Sequence, residues 1–149
     1  MTLKFQYAEQ WLSEACKLFE PIFSKKGYAI PDVRVLYGFS IDGYNSKKKR
    51  QYLGECLSST YTYDGQIIIV VTPLRRHGVD VLSILGHELV HAVDDCESQH
   101  GDAFKKIASD IGYEFIGITT YPGESLMNDL RKFSNELGKF PAINLKQCH

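Results

Sequence analysis

The sequence His87-Glu88-Leu89-Val90-His91 lies within an apolar stretch, residues 79–93. On a helix, His87 and His91 project from one face about one turn apart, so their imidazoles can bind one metal ion. Glu88 follows the first histidine directly, where its carboxylate can reach a water molecule on the metal without binding the metal itself. The pattern therefore predicts a zinc site with the chemistry of a peptidase.

The residues around this motif indicate a buried helix. Most positions are apolar, and one helical stripe consists of Val79, Leu82, Leu85, Leu89 and Val93. Polar side chains on a buried helix are costly unless a metal and its surroundings satisfy them. The alternative interpretation is that the two histidines merely share a helix, one in the core and one on the surface.

His100 is the predicted third ligand. The polar residues 94–99 end the helix, and the eight residues between His91 and His100 are enough for the chain to reverse direction. Three histidines leave the fourth position of zinc open for water, as a catalytic site requires, whereas structural sites are closed by four protein ligands. Imidazole also suits zinc well. The competing third ligands are Asp94, Asp95 and Glu97.

The rest of the chain predicts a single α+β domain over residues 1–149 without internal repeats. Polar turns separate the segments, and Asp64-Gly65 is typical of a hairpin turn. Helices are predicted at residues 5–26, 79–93, 102–111 and 125–137, and strands at 30–39, 52–63 and 66–72. Residues 113–120 are predicted as one strand or extended connection, and residues 139–149 as an irregular tail.

Composition restricts the class of protein. A chain of 149 residues can bury a core without disulfides, and a net charge of −1 gives no global field that would attract nucleic acid or an anionic membrane. The four cysteines form no C-x-x-C pair, and the start resembles no secretory leader. No apolar run reaches the roughly 18 residues of a membrane span. We therefore expect a soluble, intracellular, cytoplasmic protein with reduced thiols.

One basic run, Lys47-Lys48-Lys49-Arg50, suggests a weak contact with DNA phosphates, to which Arg75 and Arg76 could add. A short charge run is more often a solvated turn, so a protein substrate is the partner expected first.

The motif and its surroundings resemble the SprT-like metallopeptidases. Residues 84–92 and 100–104 fit the family pattern His-Glu-x-x-His, a short insert, then His-Gly-x-x-Phe, and the resemblance covers residues 65–111. It implies a zincin-like fold, with a small mixed or antiparallel sheet packed against an active-site helix and an N-terminal helix. It also implies one Zn²⁺ held by His87, His91 and His100, and Glu88 as the catalytic acid and base. Members that process proteins on DNA usually carry a C-terminal zinc ribbon, whose cysteine pairs are not found here.

The expected function is a zinc-dependent endopeptidase. The alternative is a metal-stabilised module that binds nucleic acid or regulates a partner with little or no turnover. Asp94 or Asp95 could orient a ligating imidazole, although acids at a helix end more often face solvent. Phe104 is expected to pack the ligand loop. Candidate donors to the oxyanion are His77, Tyr113 and Tyr121, although a structural role is the commoner one for each.

Overall fold

A three-stranded mixed sheet forms one layer of the fold in the computed structural model, which describes residues 3–39 and 52–144. Strand β3 (Ile67–Val71) lies in the middle, pairing in parallel with β1 (Val33–Tyr37) and antiparallel with β2 (Gly54–Leu57). The β-branched residues of β3 suit a central strand, and four of its five residues are buried. The basic run at residues 47–50 and Cys148 lie outside the described residues.

Four α-helices accompany the sheet in the described part of the chain, so the predicted α+β class is confirmed. They are α1 (Ala8–Lys25), α2 (Gly78–Val93), α3 (Asp102–Ile111) and α4 (Glu124–Leu137). Helix α1 packs on β1, whereas α2 contacts β2, β3 and each of the other helices. None of the described helices is both long enough and apolar enough to cross a membrane.

Helix α1 buries one apolar face. Trp11, Phe19 and Phe23 are fully buried, and the Trp11 indole donates a hydrogen bond to the carbonyl of Gly138 at 3.1 Å. Pro21 lies on the exposed side without ending the helix, because the carbonyl that it leaves unpaired can bind water there. The indole also ties the N-terminal helix to the segment after α4.

The prediction of one strand over residues 52–63 is wrong in its extent. Strand β2 ends at Leu57, and a short 3₁₀ helix follows at Ser59–Tyr61. The Ser58 hydroxyl accepts a hydrogen bond from the backbone N–H of Thr60 at 3.3 Å. Local bonds of this kind compete with a strand ladder, and they turn the chain away from the sheet here.

The prediction of one extended segment over residues 113–120 is also incomplete. The chain forms an antiparallel hairpin of β4 (Tyr113–Ile116) and β5 (Thr119–Pro122). Gly117 lies at the turn with φ +62°, a conformation that side chains with a Cβ rarely adopt. The hairpin contacts α2 through β5, which places it beside the histidines.

Candidate metal centre

Three histidine rings converge at one point on the surface of α2. His87 and His91 lie one turn apart on the helix, and His100 returns to them at the end of the turn that leads to α3. The Nε2 atom of His100 lies 3.2 Å from that of His91 and 3.4 Å from that of His87. The three side chains could therefore hold one metal ion.

The spacing of these nitrogens suits a tetrahedral ion. Two ligand nitrogens at bond lengths of about 2.0–2.1 Å lie about 3.3–3.4 Å apart in a tetrahedral sphere. Burial lowers the pKa of His91 to about 3 and that of His87 to about 4, with a smaller contribution from charge on the neighbouring rings. Burial also lowers the pKa of His100. All three imidazoles are thus neutral at pH 7, the form that binds metals.

The ring of Phe104 packs against all three imidazole rings. It is buried in the first turn of α3 and stacks on His91 with ring centroids 4.3 Å apart. Its centroid lies 4.9 Å from that of His100 and 5.0 Å from that of His87. The expectation that Phe104 packs the ligands is confirmed.

Thr120, on β5, contacts a candidate ligand from outside the motif. Its Oγ1 lies 2.7 Å from Nδ1 of His87. Neither Asp94 nor Asp95 orients an imidazole. One oxygen of Asp94 accepts from the backbone N–H of Ser98, its other oxygen has no hydrogen-bond partner among the described residues, and Asp95 binds Ser59. No sequence signal identified Thr120, which only the folded hairpin brings to the site.

The turn that carries His100 is held in an unusual conformation. Asp95, Cys96 and Gln99 all have positive φ, between 50° and 64°. The Asp95 carboxylate accepts hydrogen bonds from both the backbone N–H and the hydroxyl of Ser59, which lower its pKa. The turn is therefore tied to the segment that follows β2. The competing ligands Asp94, Asp95 and Glu97 are not part of the metal-binding group found among the described residues.

Glu88 is buried beside the histidines at the wall of an open cleft. Burial, reinforced by the nearby Cys96 and Glu55, raises its pKa to about 8. A Cβ atom at Gly54 would lie 3.0 Å from Glu88 Oε1 and 2.7 Å from Ile84 Cγ2. The missing side chain of Gly54 therefore makes the room in which the Glu88 carboxylate lies.

The cleft runs between β2 and the hairpin. Its walls come from β2, the 3₁₀ helix, the outer face of α2 and β5. Tyr61 and Ile118 line it with exposed fractions of 78% and 73%, so apolar surface remains accessible at its rims. A cleft with a metal-binding group in its wall can place a ligand against that metal.

The three candidate oxyanion donors are not among the residues that line this cleft. The buried Tyr113 hydroxyl donates to the carbonyl of Ser83 at 2.6 Å. His77 is the residue before the first turn of α2, and Tyr121 lies in β5. Of the two arginines considered for DNA, Arg75 lines the cleft and Arg76 donates to the carbonyl of Ile143 at 2.9 Å.

Comparisons of this chain with protein-family models, with curated proteins and with solved structures find no match.

Proposed function

We propose that this chain is a zinc-dependent endopeptidase with a zincin-like fold, as its resemblance to the SprT-like peptidases implies. The observation that carries the proposal is the convergence of three imidazole nitrogens, within 4.8 Å of one another, in a cleft that Glu88 also lines. A site that only stabilised the fold would be closed by a fourth protein ligand. Among the residues that the structure describes, this group has three ligands, and it lies in an accessible cleft.

Zinc is the ion that this donor set favours. Three neutral imidazoles with an open fourth position are the ligand set of catalytic zinc, whereas calcium and magnesium require oxygen ligands. When bound, zinc would supply Lewis acidity toward water and toward the carbonyl of the scissile bond. The ligands would be His87, His91 and His100.

Glu88 would carry a proton from the attacking water to the leaving amine. Burial keeps its carboxyl protonated near neutral pH in the metal-free protein, since its pKa is about 8. A cation at the neighbouring histidines favours the ionised form, which can accept a proton from the attacking water. Glu88 then gives this proton to the amine that leaves. Gly54 keeps the carboxylate unobstructed for both transfers.

The cleft suits an extended protein segment. Strand β2 lines one wall of the cleft, where an extended peptide could lie alongside it. Tyr61 and Ile118 offer apolar surface to side chains on either side of such a segment. A protein substrate therefore fits this cleft. DNA contact through residues 47–50 stays a prediction.

The test measures zinc content and cleavage of an unfolded protein substrate together. Wild type should bind one zinc per chain, and His100→Ala should bind it more weakly. Glu88→Gln should keep its zinc and lose cleavage, by a factor of at least about 100. Glu97→Gln is the matched control, because it makes the same chemical change at an exposed position in the turn that carries His100. It should retain both zinc binding and cleavage.

The outcomes separate the two candidate functions. Zinc binding without cleavage by wild type, on denatured or DNA-bound substrates, would favour a metal-stabilised binding module. Failure of wild type to bind zinc would refute the metal site. Cleavage that survives Glu88→Gln would refute the role given to Glu88.

A further inference from the structure

Two thiols from distant parts of the chain meet in the wall of the cleft. The Sγ atoms of Cys56 and Cys96 lie 3.0 Å apart, although 40 positions separate them in sequence. The Cys96 thiol also lies 3.5 Å from the backbone carbonyl of Cys56. Neither thiol belongs to the metal-binding group, and the proposed peptidase chemistry uses neither of them.

The two cysteines belong to elements that define the site. Cys56 lies in β2, the strand that forms one wall of the cleft. Cys96 lies in the turn between His91 and His100, and its backbone N–H donates to the carbonyl of His91 at 2.8 Å. A bond between the two sulfurs would therefore join the cleft wall to the turn that carries the third ligand.

We propose that Cys56 and Cys96 are a redox-sensitive pair, which a peroxide converts into a disulfide between β2 and the metal-ligand turn. The sulfurs need to approach by only about 1 Å to reach the bond length of a disulfide. Both residues are partly exposed and line the cleft, so a small oxidant reaches them from solvent.

The reaction balances with hydrogen peroxide as the oxidant. One cysteine gives up its proton, and its thiolate attacks a peroxide oxygen; the O–O bond breaks, a sulfenic acid forms, and the hydroxide that leaves takes up the released proton as one water. The thiolate of the other cysteine then attacks the sulfenic sulfur; the S–S bond forms, the S–O bond breaks, and the hydroxide that leaves takes up the proton of the second thiol as a second water. The pair loses two electrons and two protons, and the peroxide is reduced to two water molecules.

The cross-link should make the metal harder to lose. Three residues of the turn, Asp95, Cys96 and Gln99, have positive φ, a conformation that relaxes readily once the turn is released. His100 is the most exposed of the three ligands and lies at the end of this turn. A covalent restraint at Cys96 keeps His100 close to its partners and reduces the ordering cost of metal binding. This consequence rests on the proposed metal site, whereas the cross-link itself does not.

The test uses the full zinc-loaded chain, treated with hydrogen peroxide and then with N-ethylmaleimide to block the remaining thiols. Peptide mapping by mass spectrometry identifies the linked residues. Zinc release to a chromogenic chelator is then timed for the oxidised and reduced protein. We expect the map to contain two peptides joined by a Cys56–Cys96 disulfide within one chain. Zinc release should be slower by roughly three- to tenfold after oxidation.

The matched control is Cys16→Ser, which removes a thiol in α1 and should still form the cross-link. Cys96→Ser should abolish both the linked peptide and the effect of peroxide on zinc release. The wild-type map is decisive by itself if this variant does not fold. Alkylated Cys56 and Cys96 after peroxide, or a link to a different cysteine, would overturn the proposal. Unchanged zinc release in the cross-linked protein would refute its consequence for the metal.

The readouts also separate this proposal from the proposed function. A cross-link in a protein that cleaves no substrate would refute the peptidase and leave the redox pair standing. Cleavage by a protein that never forms the cross-link would refute the redox pair and leave the peptidase standing.

Discussion

The Nδ1 atom of His87 lies 2.7 Å from the Oγ1 atom of Thr120, so the β4–β5 hairpin fixes the orientation of a candidate metal ligand on α2. In the tautomer that binds a metal through Nε2, Nδ1 carries the ring proton and donates it to the hydroxyl. A partner of this kind selects the tautomer that binds metal and holds the ring in place.

Replacing Thr120 by valine keeps the shape of the side chain and removes the acceptor for the His87 ring proton. We expect Thr120→Val to weaken zinc binding by about 10- to 100-fold, which is the usual cost of losing such a partner. Competition with a chelator of known affinity measures the change.

Thr119→Val is the matched control for this prediction. Thr119 is the exposed neighbour of Thr120 in the same strand, so the change is chemically identical but lies away from His87. Equal zinc affinities in the two variants would show that the contact between Thr120 and His87 contributes nothing.

A methyl group at Gly54 should impair catalysis without removing the metal. The Cβ of Gly54→Ala would lie 2.7 Å from Ile84 Cγ2 and 3.0 Å from Glu88 Oε1, so the carboxylate must move. A displaced general base costs on the order of 100-fold in rate. We expect kcat for the unfolded substrate to fall by that order, while zinc content remains one per chain.

Gly38→Ala provides the comparison, because a Cβ at Gly38 meets no atom within 4 Å. This variant should cleave like wild type. A Gly54→Ala enzyme with wild-type kcat would show that the space beside Glu88 is not needed.

The parts of the site that follow from local sequence were predictable. The motif lies on α2 because the helical periodicity of residues 79–93 is strong. The polar residues 94–99 predicted the end of this helix, which the structure places at Val93. His100 was favoured by ligand chemistry, and the fold does bring it to His87 and His91.

The parts that depend on distant packing were not predictable. Thr120 reaches His87 only because Gly117 turns a segment that alone looks like one apolar strand. Cys56 and Cys96 meet only because β2 lies against the end of α2. No pattern along the sequence encodes such contacts between elements.

Loss of the Asp95 carboxylate should destabilise the metal-ligand turn. Asp95→Ala removes both hydrogen bonds to Ser59 and places alanine at φ +53°, which together should cost about 3 kcal/mol of unfolding free energy. Asp95→Asn tolerates this φ and keeps one acceptor, so we expect a loss of about 1 kcal/mol. Urea denaturation of the metal-free protein measures both. Glu97→Ala, an exposed change in the same turn, should have almost no effect, and an equal loss there would contradict the anchoring role of Asp95.

The stability of the metal-free protein should pass through a maximum near pH 6.5. His87 and His91 have folded pKa values of about 4 and about 3 against 6.5 in the unfolded chain, so below pH 6.5 the unfolded state binds more protons and stability falls. Glu88 acts in the opposite direction. Its folded pKa is about 8 against 4.5, so the folded state holds the extra proton between these values and stability falls as pH rises.

Each group contributes about 1.4 kcal/mol per pH unit within its window. Between pH 4.5 and 6.5 the two histidines outweigh Glu88, so stability should rise by at least about 1.4 kcal/mol per unit, and His100, whose pKa is also lowered, adds to this rise. From pH 6.5 toward 8 stability should fall by about 1.4 kcal/mol per unit, because of these groups only Glu88 acts there. Urea titrations of chelator-treated protein at half-unit pH intervals measure the curve. Glu88→Gln cannot ionise, so it should steepen the rise below pH 6.5 and abolish the fall above it. If stability still falls above pH 6.5 in Glu88→Gln, a different group causes the fall, and the buried, protonated state of Glu88 is refuted.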